Sequence, residues 1–116
     1  MDPIVIYQKP TCSMCRQVFK ALQESGVDFD AVNYYVEPIP KDKLRELLTK
    51  MGIPARDLLR TKEPIYKALD LGSRDLDDEA IVELMVQHPD LIQRPIVEKG
   101  ARAVLARPAD RLKALL

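Results

Sequence analysis

The hydrophobic period of the chain changes twice before residue 36, and that change restricts the fold more than any other feature. Ile4-Val5-Ile6-Tyr7 is an unbroken apolar run rich in β-branched residues, followed by polar residues and Pro10, the pattern of a buried strand entering a loop. From Cys15 to Ser25 the side chains Val18, Phe19 and Leu22 recur at helical spacing, and Gly26 stands where a helix-ending glycine belongs. Phe29 to Tyr35 then returns to β-branched and aromatic residues. Strand, helix, strand in this order spell a βαβ unit with a right-handed crossover, so the sheet starts from a parallel pair.

After Pro38 and Pro40 break the chain, Lys41 to Met51 carries Leu44, Leu47, Leu48 and Met51 on one helical stripe, stopped by Gly52 and Pro54. Short helical turns are expected over residues 54–72, punctuated by Pro64 and Gly72. The acidic run Asp75 to Glu79 opens a further helix through Met85, because carboxylates suit the positive end of a helix; read as chemistry it is a solvated helix start. Ile96 to Glu98 and Ala103 to Leu105 flank Gly100 as a β-hairpin. Pro108 is expected at the first position of a closing helix that carries Leu112, Leu115 and Leu116. The order predicts an α/β fold, βαβ then ββα, as one domain over 1–116 with a helical insertion at about 41–90.

At 116 residues the chain is long enough to bury one core without staples. Lys plus Arg and Asp plus Glu both total 18, which leaves no overall positive field to hold nucleic acid or an anionic membrane, so any anion site must be local. The start, MDPIVIYQKP, has an acidic residue and a proline where a secretory leader carries positive charge, and its apolar run is short. A cytoplasmic location follows as an expectation. There, two cysteines read as catalytic or metal-binding rather than as a structural disulfide. A closed zinc site wants four ligands, and Cys12, Cys15 and the distant His88 fall short, so no metal is expected.

Cys12 and Cys15 form a Cys-x-x-Cys pair at the strand-to-helix junction. A helix that begins just after Cys12 puts this sulfur at its positive end, where free N–H groups favour a thiolate, and Arg16 adds charge nearby. Cys15, one turn on, is placed to resolve a mixed disulfide. Two incidental buried thiols are the plainer alternative. Arg60, Arg94 and Arg107 lie in RDLLR, IQRPIV and LARPAD. An arginine fork suits a tetrahedral oxyanion. Taken singly, each also reads as a surface cation, and spacing alone does not bring them together. Thr11 and Ser13 offer hydroxyls to the thiolate or caps to the helix, Lys9 reads as an anion guide or a solvated lysine, and Tyr7, Tyr34 and Tyr35 read as core residues on strands. His88 reads as a helix-end residue without a chemical role.

Taken together, IVIYQKPTCSMCR, MGIPARDLLR, HPDLIQRPIV and the closing RP resemble the arsenate reductase family of the glutaredoxin-coupled, thioredoxin-fold type across nearly the whole chain. The resemblance implies that Cys12 is the nucleophile and that Arg60, Arg94 and Arg107 bind arsenate and stabilise the charged intermediate. It implies that Pro95 is the cis-proline facing the active cysteine. It implies glutathione as co-substrate, with glutaredoxin reducing the mixed disulfide, and neither metal nor flavin. A monomer is expected.

The well-known members lack a cysteine at the position of Cys15 and carry histidine where this chain has Gln8. The chain is thus similar to a short branch with Cys-x-x-Cys, whose members act as glutathione-dependent thiol reductases in a second reading. If Cys15 resolves Cys12, thioredoxin becomes the recycling partner. A third reading is a redox-sensing regulator of the same fold that binds RNA polymerase, which would not require three arginines at an oxyanion site.

Overall fold

The computed structural model describes residues 3–116, and the chain divides into two compact units, residues 1–37 with 94–116, and residues 38–93. The segment read from the sequence as a helical insertion at about 41–90 lies within the second.

The first unit holds strand β1 (Ile4–Gln8), helix α1 (Ser13–Glu24), strand β2 (Asp30–Asn33) and the hairpin strands β3 (Ile96–Lys99) and β4 (Arg102–Leu105). They form one mixed sheet in the order β2-β1-β3-β4, with β1 parallel to β2 and antiparallel to β3, and β3 antiparallel to β4. This is the expected thioredoxin-like βαβ and ββα arrangement. β1 has a partner on both edges, which is why its apolar run does not alternate with polar residues.

Register decides which side chains meet. Ile6 opposes Val97 and Val97 opposes Val104, so these three form a row on one face, where Val18 and Leu22 of α1 pack with Leu112 and Leu115. Along α1, Cys15, Val18 and Leu22 are the buried residues, and their spacing of three and four draws a single stripe toward this core. Gly26 follows the helix at φ 77°, the left-handed conformation that glycine adopts without strain.

Two expectations are corrected in this unit. β2 stops at Asn33 rather than reaching Tyr35, because Asn33 turns the chain: its Oδ1 accepts the Tyr35 N–H at 3.1 Å and its carbonyl accepts the N–H groups of Val36 and Glu37. Tyr34 and Tyr35 therefore stand in a turn and not in the sheet. The closing helix is a 3₁₀ helix, Ala109–Ala114, with Pro108 just before it at the cap position instead of the first helical position. A repeat of three residues per turn aligns Leu112 with Leu115, both buried, and leaves Leu116 out of line and 52% exposed.

The second unit contains α2 (Lys41–Met51), a 3₁₀ turn at Ala55–Leu58, α3 (Pro64–Ala68), α4 (Asp78–Gln87) and a 3₁₀ turn at Pro89–Leu91. α2 packs on α4, with Leu44, Leu47 and Leu48 buried on the first and Ile81, Val82 and Met85 on the second. Gly52 ends α2 at φ 69° and donates its N–H to the Leu48 carbonyl, while the Asp77 carboxylate caps α4 by accepting the Ala80 N–H at 2.9 Å. Leu59 and Ile92 form an antiparallel bridge, and Arg60 donates its backbone N–H to the Leu91 carbonyl at 2.8 Å. His88 ends α4, its N–H on the Leu84 carbonyl. Among the described residues no helix is long and apolar enough to cross a membrane.

Leu22 is fully buried in the core shared by α1, the sheet and the closing 3₁₀ helix. Leu22→Ala is expected to lower stability by about 2–5 kcal/mol, read from the shift in the urea unfolding midpoint.

Candidate active site

Cys12 is the residue immediately before α1, with extended backbone at φ −78° and ψ 126°. The tight turn that delivers it is closed by its own N–H, which donates to the Lys9 carbonyl at 2.9 Å. Its Sγ accepts the Cys15 backbone N–H at 3.4 Å, so the sulfur itself caps the helix. A thiolate in that position gains from the unpaired N–H groups and from the positive end of the helix dipole.

The two sulfurs are held in opposite states. Burial works against the Cys12 thiolate, but hydrogen bonds from the Cys15 backbone and side chain, and a hydrogen bond and charge from Arg94, outweigh it and lower the thiol below its ordinary value. Cys15 is fully buried, and burial is the chief cause that pushes its thiol up to about 12. The negative charge on Cys12 pushes the same way, while a backbone hydrogen bond at Lys9 and the charge of Arg94 act against it. The pair thus sets a partly exposed sulfur, whose charged form is favoured, against a buried thiol. The cation that acts on Cys12 is Arg94, and Arg16, expected to add charge here, is exposed on the helix surface.

Arg94 is itself buried, at 7% exposure. Burial disfavours its charge, yet hydrogen bonding and charge interactions with Tyr34, Tyr35 and Cys12 more than compensate and raise its pKa, so it is a permanent cation. Its Nη1 donates to the Tyr34 hydroxyl at 3.4 Å and the Tyr35 hydroxyl at 3.3 Å. Its Nε, equally buried, has no acceptor. A buried N–H donor without a partner costs about 1–3 kcal/mol, which an incoming anion would relieve. Arg107 donates from Nη1 to the Arg94 carbonyl at 3.2 Å, and the Arg94–Pro95 and Arg107–Pro108 peptide bonds are both cis. The Pro95 carbonyl accepts the Ala106 N–H at 2.9 Å, which ties the two Arg-Pro segments together at the open end of the hairpin.

The first unit thus brings together Cys12, Cys15, Arg94, Arg107 and Pro95 of the residues singled out in the sequence. Arg60 belongs to the second unit, where its Nε donates to Glu63 Oε1 at 2.9 Å. The tyrosines that hold Arg94 were missed as site residues, because an aromatic pair after a β-branched run reads as strand; Asn33, a turn former directly before them, was the available signal. A separate cavity of about 430 Å³ in the second unit, lined by residues such as Arg45, Leu48, Glu79 and Val82, contains no cysteine. Among the described residues no group of three or more His, Cys, Asp or Glu is arranged to hold a metal ion.

Alkylation of Cys12 by iodoacetamide should rise with pH on the acid side of an ordinary thiol, since a lowered pKa exposes thiolate earlier. Arg94→Ala removes one cause of the lowering and should move the midpoint upward, and Cys15→Ala should do the same. Mass spectrometry at pH 7 is expected to find label on Cys12 alone.

The model of the ArsC family matches residues 7–115. The chain is 38% identical to the uncharacterized protein YfgD of Escherichia coli (strain K12), over 94% of this chain and 92% of that one. It is 33% identical to an arsenate reductase of Neisseria meningitidis over the full length of both. The solved structure of an arsenate reductase from Vibrio cholerae superposes with a TM-score of 0.92 at 34% identity, covering 99% of this chain and 98% of that chain. A family match that starts within β1 and runs through the closing 3₁₀ helix, with relatives matched over nearly their whole length, establishes that the chain belongs to the ArsC family.

Proposed function

We propose that the protein reduces arsenate to arsenite through a covalent adduct on Cys12. The observation that carries this reading is a helix-capping sulfur, its thiolate favoured by a buried arginine whose Nε lacks an acceptor, in a chain of the ArsC family. Arg94 and Arg107 supply donors to the oxyanion and balance the charge that builds on it.

In the first step the Cys12 thiolate attacks arsenic, an S–As bond forms, and an arsenate oxygen leaves as water after protonation. In the second, a thiol attacks Cys12 Sγ. The S–S bond forms, the electron pair of the S–As bond returns to arsenic, and As(V) leaves as As(III) in arsenite. Two routes supply that thiol. Glutathione gives a mixed disulfide that glutaredoxin reduces. Cys15 gives an internal disulfide that thioredoxin reduces. While Cys12 is anionic, Cys15 is held as a thiol; once Cys12 is bonded to arsenic its charge is gone and one cause of the raised Cys15 pKa goes with it. This order of events favours Cys15 as an attacker after adduct formation and not before. A glutathione- and thioredoxin-containing cytoplasm would suit either cycle.

A second reading, a thiol-disulfide oxidoreductase without an oxyanion substrate, is favoured by one observation, the pairing of a thiolate at Cys12 with a buried thiol one turn on.

The test is arsenite release from arsenate with glutathione plus glutaredoxin and, separately, thioredoxin plus its reductase. Cys12→Ser should abolish turnover in both. Arg94→Ala should lower kcat/KM by about 10²-fold or more, the size typical for removing a donor to developing charge. Cys15→Ser should silence only the thioredoxin-coupled assay if Cys15 resolves the adduct, and neither assay if glutathione does. Absence of arsenite in both systems, with a reversible Cys12–Cys15 disulfide retained, would replace this reading with the second.

A further inference from the structure

Tyr35 lies between two cations next to the nucleophile. Its hydroxyl accepts a hydrogen bond from Arg94 Nη1 at 3.3 Å, and the Lys9 Nζ sits over its ring, 4.7 Å from the centroid. The Arg94 guanidinium carbon is 5.9 Å from the same centroid. Lys9 closes the turn that presents Cys12, since its carbonyl accepts the Cys12 N–H. Tyr35 is fixed from behind by its backbone N–H on Asn33 Oδ1 and by its ring against Tyr34, 5.1 Å between centroids.

Two cations sharing one ring repel each other, and an ordinary lysine would swing its flexible arm into water. The aromatic face offsets that tendency by attracting the ammonium. Charge then accumulates locally: Lys9 lies over the ring whose hydroxyl accepts from Arg94, Arg107 donates to the Arg94 carbonyl, and Arg94 acts on Cys12, a group of cations that a multiply charged anion would neutralise. The unpartnered Arg94 Nε marks a place for one of its oxygens.

We propose that Tyr35 is a positioning residue that holds Lys9 as well as Arg94 beside Cys12, making Lys9 a further cation of the anion site and selecting multiply charged tetrahedral oxyanions. This builds on the oxyanion reading above. Tyr35 acts through its neighbours: the hydroxyl orients Arg94 and the ring face retains Lys9.

The two parts of the side chain can be separated. Tyr35→Phe removes the hydroxyl and keeps the ring; Tyr35→Leu removes both. The readout is the rate of Cys12 alkylation by anionic iodoacetate divided by the rate with neutral iodoacetamide, at fixed ionic strength, which reports the local positive field without any reduction chemistry. Lys9→Gln should lower this ratio about threefold, the scale of one nearby charge in a partly exposed site. Tyr35→Leu should lower it at least as much, and Lys9→Gln added to Tyr35→Leu should change little more. Tyr35→Phe should lower the ratio less than Tyr35→Leu, while shifting the pH midpoint of Cys12 alkylation upward through Arg94. Protection of Cys12 by inorganic phosphate should weaken in parallel with the ratio.

An unchanged ratio in Lys9→Gln, or full additivity of Lys9→Gln and Tyr35→Leu, would overturn the proposal. Should Tyr35→Leu fail to fold, Lys9→Gln and Tyr35→Phe still decide it, since neither removes core volume. An unaltered ratio with wild-type arsenite release would reject the role of Lys9 and Tyr35 alone; the expected ratios without any arsenite release would reject the reductase reading alone.

Discussion

The hydrogen bond from the Cys15 N–H to Cys12 Sγ is the contact on which the difference between the two thiols of this chain depends. It links a covalent spacing of three residues to the geometry of a helix start. The first residues of any helix have N–H groups without acceptors, and here a sulfur takes one of them. The same spacing puts Cys15 in line with Val18 and Leu22, the stripe that the core buries. One helix thus gives its two thiols opposite environments: Cys12 meets donors and partial positive charge at the exposed end, and Cys15 meets hydrocarbon. The lowered and raised pKa values follow from that single placement, with Arg94 reinforcing the first and opposing the second.

Arg94 shows how a buried charge can be kept. Removing a guanidinium from water is unfavourable, and two tyrosine hydroxyls and the neighbouring Cys12 sulfur supply the compensation. The compensation is incomplete, because Nε is left without a partner. In a protein that binds nothing this would be a plain loss of stability. In a site that awaits an anion it is stored binding energy, since the donor needs no reorganisation when the oxygen arrives.

The residues that hold Arg94 come from two distant parts of the chain, and their convergence depends on the sheet. β1 is an inner strand; β2 beside it ends in the Asn33 turn that carries Tyr34 and Tyr35, and β3 on the other side begins just after Arg94 and Pro95. The Tyr34 N–H donates to the Gln8 carbonyl at the end of β1, so the turn is pinned to the strand that leads into the Cys12 loop. The order β2-β1-β3 therefore brings the tyrosines, the cysteine loop and the arginine to one region of the first unit.

The local features were legible in the sequence. Strand β1, the start of α1 directly after Cys12, the stop of α2 at Gly52 and the hairpin around Gly100 all rest on contacts within a few residues, where periodicity, caps and glycine have fixed meanings. The resemblance of the Arg-Pro segments to a known family pointed to Arg94 and Arg107, though no spacing rule could place them beside Cys12. Tertiary structure alone decided that Arg94 is buried, that its partners are Tyr34 and Tyr35, some 60 residues away in the chain, and that Lys9 lies over an aromatic ring. It also turned the last leucines onto a 3₁₀ repeat in place of an α-helical one. The reason is physical: a helix cap or an apolar stripe is specified by neighbours that the sequence writes side by side, whereas the burial and pairing of a charge depend on which distant groups the sheet brings within hydrogen-bonding distance.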